Sequence, residues 1–505
     1  MILDSIFAWL PQSWMWYILA VLAIAVLNMF YKIVVAPRLK LRKLGLPYPP
    51  PSPVIGNLND FGPNSTHIAQ IEWQKKYGDI YAVQFFHVPS IWISKPDILR
   101  QIMVKDFSNF PNHFSFNQSL PPFDKTVAEL RDHDWKRVRN ILVPTFTTSK
   151  LRVVVPLIKQ ATNEFIQRLI EADTKGEKLD MWSSCGQLSM KVILGTAFGV
   201  EIESKEQEEK LTKAAGVFFR TDDMSKLQTL LQFLVFTMPN VFKHIEPLLG
   251  GRFSNAVNYI VDITKNVIRE RRDNLAAGKP CRKDMMQHMI EAGGQDKLSD
   301  DEIVSQAVIF LLAGYETTQN ALSFTIYALA TNPEAQQKLI DEIDSHCLDG
   351  DSINYDIISS MSYLDMVISE TLRLYPPATI TNRDVKKSTT IDGIFFPDDI
   401  MVGIPIYAIH HDARLWPEPE RFKPERFTPE AKANQHPFAY LPFGNGPRNC
   451  IGMRLALLEV KLALIKILQN VEFVAIKETE VPLKLRSINT LAPTNPIYLG
   501  IRKRF

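Results

Sequence analysis

"PFGNGPRNCIG", Pro442 to Gly452, is the stretch on which the reading of this chain turns. It packs one cysteine, one arginine and three glycines into eleven residues. The chain has four cysteines, Cys185, Cys281, Cys347 and Cys450, too widely spaced for a CxxC pair or a zinc pattern. A disulfide framework is out of place in a chain of 505 residues, so each cysteine is read alone. Three chemistries compete for the loop. A phosphate-binding loop would continue into Lys-Ser/Thr, but Met453 and Arg454 stand there, and Pro447 removes an amide donor. A purely structural cysteine leaves the neighbouring Arg448 without a task.

The third reading is a metal thiolate. One cysteine cannot complete a zinc site, but a porphyrin supplies four ligands to its own iron, and one axial thiolate is then enough. Gly444 and Gly446 would let the backbone approach a flat cofactor and aim amides at the sulfur. Arg448 would supply a cation for a propionate. Phe443 would cover the sulfur, and a helix opening near Gly452 would turn its positive end toward the thiolate. This reading gives every residue of the loop a task.

The residues Phe443-Gly444-Asn445-Gly446-Pro447-Arg448-Asn449-Cys450-Ile451-Gly452 resemble, in full, the FxxGxRxCxG haem-binding signature of the cytochrome P450 family. Further segments match in the right order along nearly the whole chain. The general look is closest to the microsomal branch of drug- and steroid-oxidising enzymes, which also includes thromboxane synthase. The resemblance implies a mainly α fold with minor β, α+β in class: a triangular helical body with small sheets. It implies haem b (iron protoporphyrin IX) with Cys450 as axial thiolate.

The chain's own patterning agrees with a helical body. Residues 134–345 carry long 3.6-residue periodicity with few strand signals. A strand pair is expected over 78–94 and a second strand region over 385–407, turning at Asp392-Gly393. Helix is expected again after Gly452. Hydrophobic content of 46%, charged content of 22% and a net charge of +2 describe an ordinary globular protein and give no basic footprint for nucleic acid.

The N-terminus differs. "WMWYILAVLAIAVLNMFY", Trp14 to Tyr31, is uncharged and long enough to cross a bilayer. Aromatic residues stand near both ends, and Lys32, Arg38, Lys40, Arg42 and Lys43 follow, which orients the body to the cytosol. No positive n-region or small-residue cleavage site marks it as a removable signal. The organisation expected is an anchor helix over 1–31, a basic and proline-rich strap over 32–53, and a catalytic domain over 54–505. Together with the resemblance this places the protein in the endoplasmic reticulum membrane as a single-pass protein with a cytosolic body. The apolar stretch 227–249, broken by Pro239, is either core or a patch that dips into the membrane.

"LSDDEIVSQAVIFLLAGYETTQNALSFTIYALATNPE", Leu298 to Glu334, predicts one long helix opened by a Ser299/Glu302 capping box and ended by Asn332-Pro333. Its middle, "AGYETT" (Ala313 to Thr318), sits badly in a helix: Gly314 and two threonines weaken it, and Glu316 is a carboxylate among apolar neighbours. The ordinary reading is a threonine that bonds back to a carbonyl and bends the helix. The segment also resembles the family's [AG]Gx[DE]T[TS] motif, which implies that Ala313 and Gly314 border the oxygen site, Gly314 making room for dioxygen. It further implies that Thr317 hydrogen-bonds the oxygen and Glu316 relays protons. Thromboxane synthase-like isomerases depart from this threonine pattern, so its presence here favours a monooxygenase.

"SETLRLYPP" (Ser369 to Pro377) sets Glu370 and Arg373 on one helical face, similar to the family's ExxR pair. The resemblance adds Arg426 of Pro424-Glu425-Arg426-Phe427 to make a structural triad. Trp135 and Arg139 match the family's WxxxR segment, and Arg383 occupies the place of another propionate arginine. "FSNFPNHFSF" (Phe107 to Phe116) lacks the arginine pair of close relatives, with His113 a weak substitute.

No GxGxxG follows a strand, so NADPH and flavins are reached only through a partner. The resemblance implies NADPH–cytochrome P450 reductase, helped by cytochrome b5, with Lys136, Arg137 and Lys423 offering a basic docking face. The substrate pocket is expected from residues 106–125 and 215–245, from Phe310, Ala313 and Thr317, and from 377–380 and 487–491. Its apolar character suits a lipophilic substrate (xenobiotic, steroid or fatty acid) arriving through membrane lipid, to be oxidised with O2. Two rivals stand beside the monooxygenase: a haem-thiolate isomerase or dehydratase of lipid hydroperoxides, and a haem sensor without turnover.

Overall fold

The computed structural model describes residues 12–61, 65–114, 121–199, 205–219, 244, 251–292, 297–347, 353–398, 400–487 and 490–504. The apolar stretch 227–249, apart from residue 244, lies outside them.

Helix α1 (Gln12–Phe30) runs through one π-turn (Tyr31–Val35) into α2 (Ala36–Lys43). Residues Trp16–Lys43 form a helical span with mean hydropathy 2.4 in its most apolar window, of which only 6% is buried. A helix apolar on every side and packed against nothing calls for a non-aqueous medium, which fits membrane anchoring. The basic segment after it is helical. Pro37 and Leu41 of α2 are buried, so α2 belongs to the body, and the extended chain begins only at Gly45.

The body is helical, as expected, with four small sheets among the described residues. Strands β1 (Ile80–Phe85) and β2 (Val88–Ile93) form the foreseen antiparallel pair. They join β3 (Thr381–Asp384) and β6 (Met401–Ile404) in one sheet ordered β1-β2-β6-β3. Strands β4 (Thr389–Ile391) and β5 (Ile394–Phe396) form a hairpin that turns at Asp392 and Gly393, both at positive φ. The second strand region starts earlier than expected, at Thr381, and its end is helix: Ile406–His410 is helical. Two further pairs follow the last helix: β7 (Val471–Val474) with β10 (Gly500–Lys503), and β8 (Leu485–Ser487) with β9 (Leu491–Pro493).

The helices that position the site are α3 (Asp132–Leu142), α4 (Thr148–Lys175), α5 (Met181–Ile193), α6 (Asp300–Thr331), α7 (Ser362–Leu374) and α8 (Met453–Asn470). Helix α6 opens with the capping box, both of whose bonds form, and its 32 residues rise about 48 Å. It is buried on nearly all sides, so its apolar residues form the centre of the core. Helix α5 crosses α6 closely because α6 has glycine at 314: a Cβ there would lie 2.6 Å from Ile193 Cδ1.

Candidate active site

The Cys450 loop is a chain of tight turns. Gly444 N–H donates to Leu441 O (3.0 Å), Asn449 N–H to Gly446 O (3.0 Å) and Cys450 N–H to Phe443 O (2.9 Å). Gly444 and Gly446 both take positive φ. Their roles differ from the sequence expectation. A Cβ on Gly446 would lie 2.0 Å from Met103 O, so this glycine lets the loop press against another backbone, not against a cofactor. Gly444 has open space before it and lines the cavity that Cys450 faces. The amides that lean on the sulfur are those of Gly452 and Met453, at the start of α8. Burial pushes the Cys450 thiol up. Those two amides and the Arg139 guanidinium pull it back down. Arg139 is held there by Asn449, donating to its carbonyl (3.0 Å) and to Oδ1 (2.7 Å).

Beneath the loop lies the foreseen triad. Arg373 donates to both carboxylate oxygens of Glu370 (Nε 2.7 Å, Nη2 2.9 Å), and Arg426 Nε donates to Oε1 (3.2 Å). Glu370 and Arg373 are wholly buried. The link from triad to loop is a residue that no sequence motif marks, His410. Its backbone carbonyl accepts from Arg373 Nη1 (2.9 Å), its Nδ1 contacts Arg373 O (3.2 Å), and its Nε2 accepts from Leu441 N–H (2.8 Å). Both ring nitrogens are committed only if the ring is neutral with its proton on Nδ1. Burial and the neighbouring His411 and Arg373 hold its pKa well below the ordinary value.

Across the cavity stands the middle of α6. Ala313, Gly314, Thr317 and Thr318 line the same space as Phe443, Gly444, Arg448, Cys450 and Gly452. The space open to the centre of a water molecule is ≈ 300 Å³. Thr317 Oγ1 donates to Ala313 O (2.6 Å), the back-bond expected of a helical threonine. Glu316 is not among the lining residues. It is buried, 2% exposed, and its Oε1 accepts from Thr490 Oγ1 in the turn between β8 and β9. The room at Gly314 is taken up on one side by Ile193, so its glycine serves the α5–α6 crossing as well as the cavity. The expected pocket segments contribute His113, Phe310, Pro377, Ala378 and Ile380. The described residues of 487–491 do not line the cavity; they stand behind the 377–380 wall, with Leu491 N–H donating to Pro377 O (2.9 Å).

The third part of the site is a buried cluster of cations. Arg448 donates from Nε to Pro111 O (2.8 Å), from Nη2 to Leu130 O (2.8 Å) and Asn112 Oδ1 (3.0 Å), and lies over Trp135 at 4.1 Å. Only Nη1, with a long 3.4 Å approach to Val127 O, keeps donor capacity toward the cavity. Arg383 donates to Asn382 O (2.6 Å) and to His113 Nδ1 (3.1 Å). His113 Nδ1 is shared between Asn382 O (2.9 Å) and Arg383 Nη1 (3.1 Å). Burial and the two arginines keep His113 well below its usual range. Burial pushes Arg383 down to about 10. Burial and neighbouring cations push Arg448 down to about 9. The nearby acid, Asp384, is already paired with Arg131. Neither Arg383, Arg139 nor Trp135 lines the cavity directly; His113 and Arg448 do.

A thiol facing a cavity, opposite a helix with a glycine and an inward threonine, is the arrangement the sequence signature implied. The cytochrome P450 family model matches residues 46–501. The chain belongs to the cytochrome P450 family. It is 38% identical over 474 residues to guinea pig cytochrome P450 3A14 and 38% identical over 474 residues to human cytochrome P450 3A5, covering 92% of both chains in each case. Rat cytochrome P450 3A9 is 38% identical over 476 residues, at the same coverage. As a cytochrome P450, the protein is a haem-thiolate monooxygenase, and its cofactor is haem.

The residues present fit that group. Arg383 Nε and Trp135 Nε1 are buried with no partner among the described residues, next to arginines whose burial is uncompensated. Such a cluster asks for anionic acceptors, and a haem carries two carboxylates. The basic face expected for a partner is reduced by one member: Arg137 turns inward to Glu302 of α6, while Lys136 and Lys423 are exposed.

Proposed function

We propose that this P450 oxidises lipophilic organic molecules at the end of the cavity bordered by Phe310, Ala313 and Ile380, using electrons delivered from NADPH by a membrane-bound reductase. Its catalytic domain, 54–505, would be held at the endoplasmic reticulum membrane by α1, on the cytosolic side. In this reading Cys450 is the axial ligand. Arg448 and His113, with Arg383, Trp135 and Arg139 behind them, hold the propionates. Phe443, Gly444 and Gly452 shape the loop around the sulfur. When bound, haem supplies a site at which dioxygen is activated by electrons and protons.

The chain's own task is to direct those protons. Thr317 Oγ1 spends its proton on Ala313 O and presents lone pairs to the cavity. It can accept a proton there, or donate one after releasing the back-bond. Glu316, adjacent in sequence but held outside the cavity lining by Thr490, would have to turn toward the cavity to feed the hydroxyl. Apolar lining from Phe146, Phe310 and Ile380 excludes bulk water, so protons arrive by these groups. The observation that carries the reading is the shared cavity of Cys450 and Thr317, since an isomerase of hydroperoxides needs no proton-directing hydroxyl. The test is purified protein with reductase, NADPH and a panel of lipophilic compounds. Products that gain one oxygen only with NADPH are expected. Rearrangement of lipid hydroperoxides without NADPH would overturn the reading.

A further inference from the structure

Among the described residues lining the cavity, Glu459 is the one carboxyl, and the mechanism leaves it without a task. It lies on α8 about two turns beyond Gly452 and is 3% exposed. Its Oε1 is buried with no partner among the described residues. A buried acid in that position needs a reason. The polar neighbour that meets its carboxyl is not a cation but a hydroxyl, Ser189 of α5.

Ser189 fixes the direction of that contact. Its Oγ stands 3.1 Å from Gly314 O and 3.0 Å from Tyr315 O, and a carbonyl can only accept. A hydroxyl has one proton, so Ser189 spends it on α6 and keeps lone pairs for Glu459. A carboxylate there would set lone pairs against lone pairs, whereas a protonated carboxyl supplies the missing hydrogen. Burial acts in the same direction. It pushes the Glu459 carboxyl well above its ordinary range, and the contact with Ser189 does not bring it back.

The contact reaches the turn that carries Thr317. Thr317 Oγ1 donates to Ala313 O (2.6 Å), so three successive carbonyls of α6, those of Ala313, Gly314 and Tyr315, accept from hydroxyls. Side-chain bonds of this kind compete with the helix and bend it. This is also where α5 comes closest, with Ile193, about one turn after Ser189, against Gly314. Ser189 ties the loosened turn to α5. Glu459 ties Ser189 to α8, the helix whose first amides lean on Cys450.

We propose that Glu459 is a positioning residue that keeps its proton in the working enzyme. It donates to Ser189 Oγ, and Ser189 holds the Gly314–Tyr315 turn so that Thr317 presents its lone pairs to the cavity. The consequence for turnover rests on the monooxygenase reading; the bonding does not. Glu459 passes no proton to the reaction, so an amide that donates in its place restores the function.

The test compares Glu459→Gln, which keeps a donor, with Glu459→Leu, which removes it, and with Ser189→Ala. The first measurement is the infrared difference between resting wild-type holoenzyme and Glu459→Gln at neutral pH. The carbonyl stretch of a protonated carboxyl is expected in wild type, and a shift of that band in Ser189→Ala. The second is product per NADPH at equal haem content. Glu459→Leu and Ser189→Ala are each expected to lower it by about 5-fold, the worth of one hydrogen bond. The double variant should fall no further, and Glu459→Gln should recover most of the loss. A carboxylate band in place of the protonated one, or a band indifferent to Ser189→Ala, would overturn the proposal. So would a Leu variant that couples as well as wild type, or additive losses in the double variant. A Gln variant as poor as Leu would also overturn it, since Glu459 would then be needed as an acid. If Glu459→Leu fails to hold haem, the infrared band and Ser189→Ala still decide. If wild type gives no oxygenated product while the band is present and responds to Ser189→Ala, the monooxygenase reading fails and the bonding stands.

Discussion

The two faces of the cavity are built on opposite plans. Below, the Cys450 loop is held by a network in which each polar group has a fixed partner: Glu370, Arg373 and Arg426, then His410, then Leu441 and the turns to Cys450. Above, the middle of α6 gives its polar groups partners they can leave. Thr317 bonds to its own helix and Glu316 to a turn. The difference matches the work. A ligand to a metal must not move, whereas groups that pass protons must exchange partners.

The largest effect is expected at the lower face. Glu370→Gln or Arg373→Ala would leave an unpaired charge at a fully buried position, a cost of about 3–5 kcal/mol. The expected outcome is protein that does not retain haem, measured by its absorbance after gel filtration. On the upper face Thr317→Ala should leave folding and haem content alone. It should lower oxygenated product by on the order of 10²-fold while NADPH consumption continues and peroxide accumulates. If Thr317→Ala lost haem, or Glu370→Gln kept it, the two plans would not be distinct.

Acid should also strike the lower face first. His410 is neutral in the fold, with a pKa held well below that of the unfolded chain. His113 is held down similarly, His67 to about 4 and His411 to about 3. For a histidine depressed in the fold, stability is complete above the unfolded pKa, about 6.5, and is lost as pH falls from there toward the folded pKa, because only the unfolded chain takes the proton. Buried Glu459 is pushed well above its usual value, so it is neutral in the fold and works in the opposite sense, above pH about 4.3. Thermal melts of the holoprotein between pH 7 and 5 should show the midpoint falling. Replacing His410 by Asn, which can still donate and accept, should flatten part of the slope.

The smallest test separates the two loop glycines. Both need positive φ, a strain of about 1–2 kcal/mol for alanine. Gly446→Ala also drives a Cβ into Met103 O, whereas Gly444→Ala meets nothing closer than 3.9 Å. Urea melts should therefore show Gly446→Ala clearly more destabilised than Gly444→Ala.

Much of the fold and the site is legible in the sequence, because it rests on local rules. The capping box, the 3.6-residue pattern, the Asp392-Gly393 turn and the loop motif each act within a few residues. What is not legible depends on distant partners. His410 sits in "AIHHD" with no spacing that ties it to Leu441, 31 residues away. Thr490 looks like any turn threonine until Glu316, 174 residues earlier, is folded against it. A glycine in a site motif invites assignment to the cofactor, and the contact of Gly446 with Met103 cannot be seen without the fold. The basic residues after the anchor read as part of a strap, yet they lie on α2, which buries Leu41. Arg137 reads as surface charge because its partner, Glu302, belongs to the far helix cap.

The most direct test of the account is turnover under isotopically labelled dioxygen, with reductase, NADPH and a lipophilic substrate, in wild type and Thr317→Ala. The account predicts one labelled oxygen atom per product molecule in wild type, with the Thr317 variant diverting most of its electrons to labelled peroxide. Product oxygen drawn from an added hydroperoxide, unlabelled and indifferent to Thr317, would contradict it.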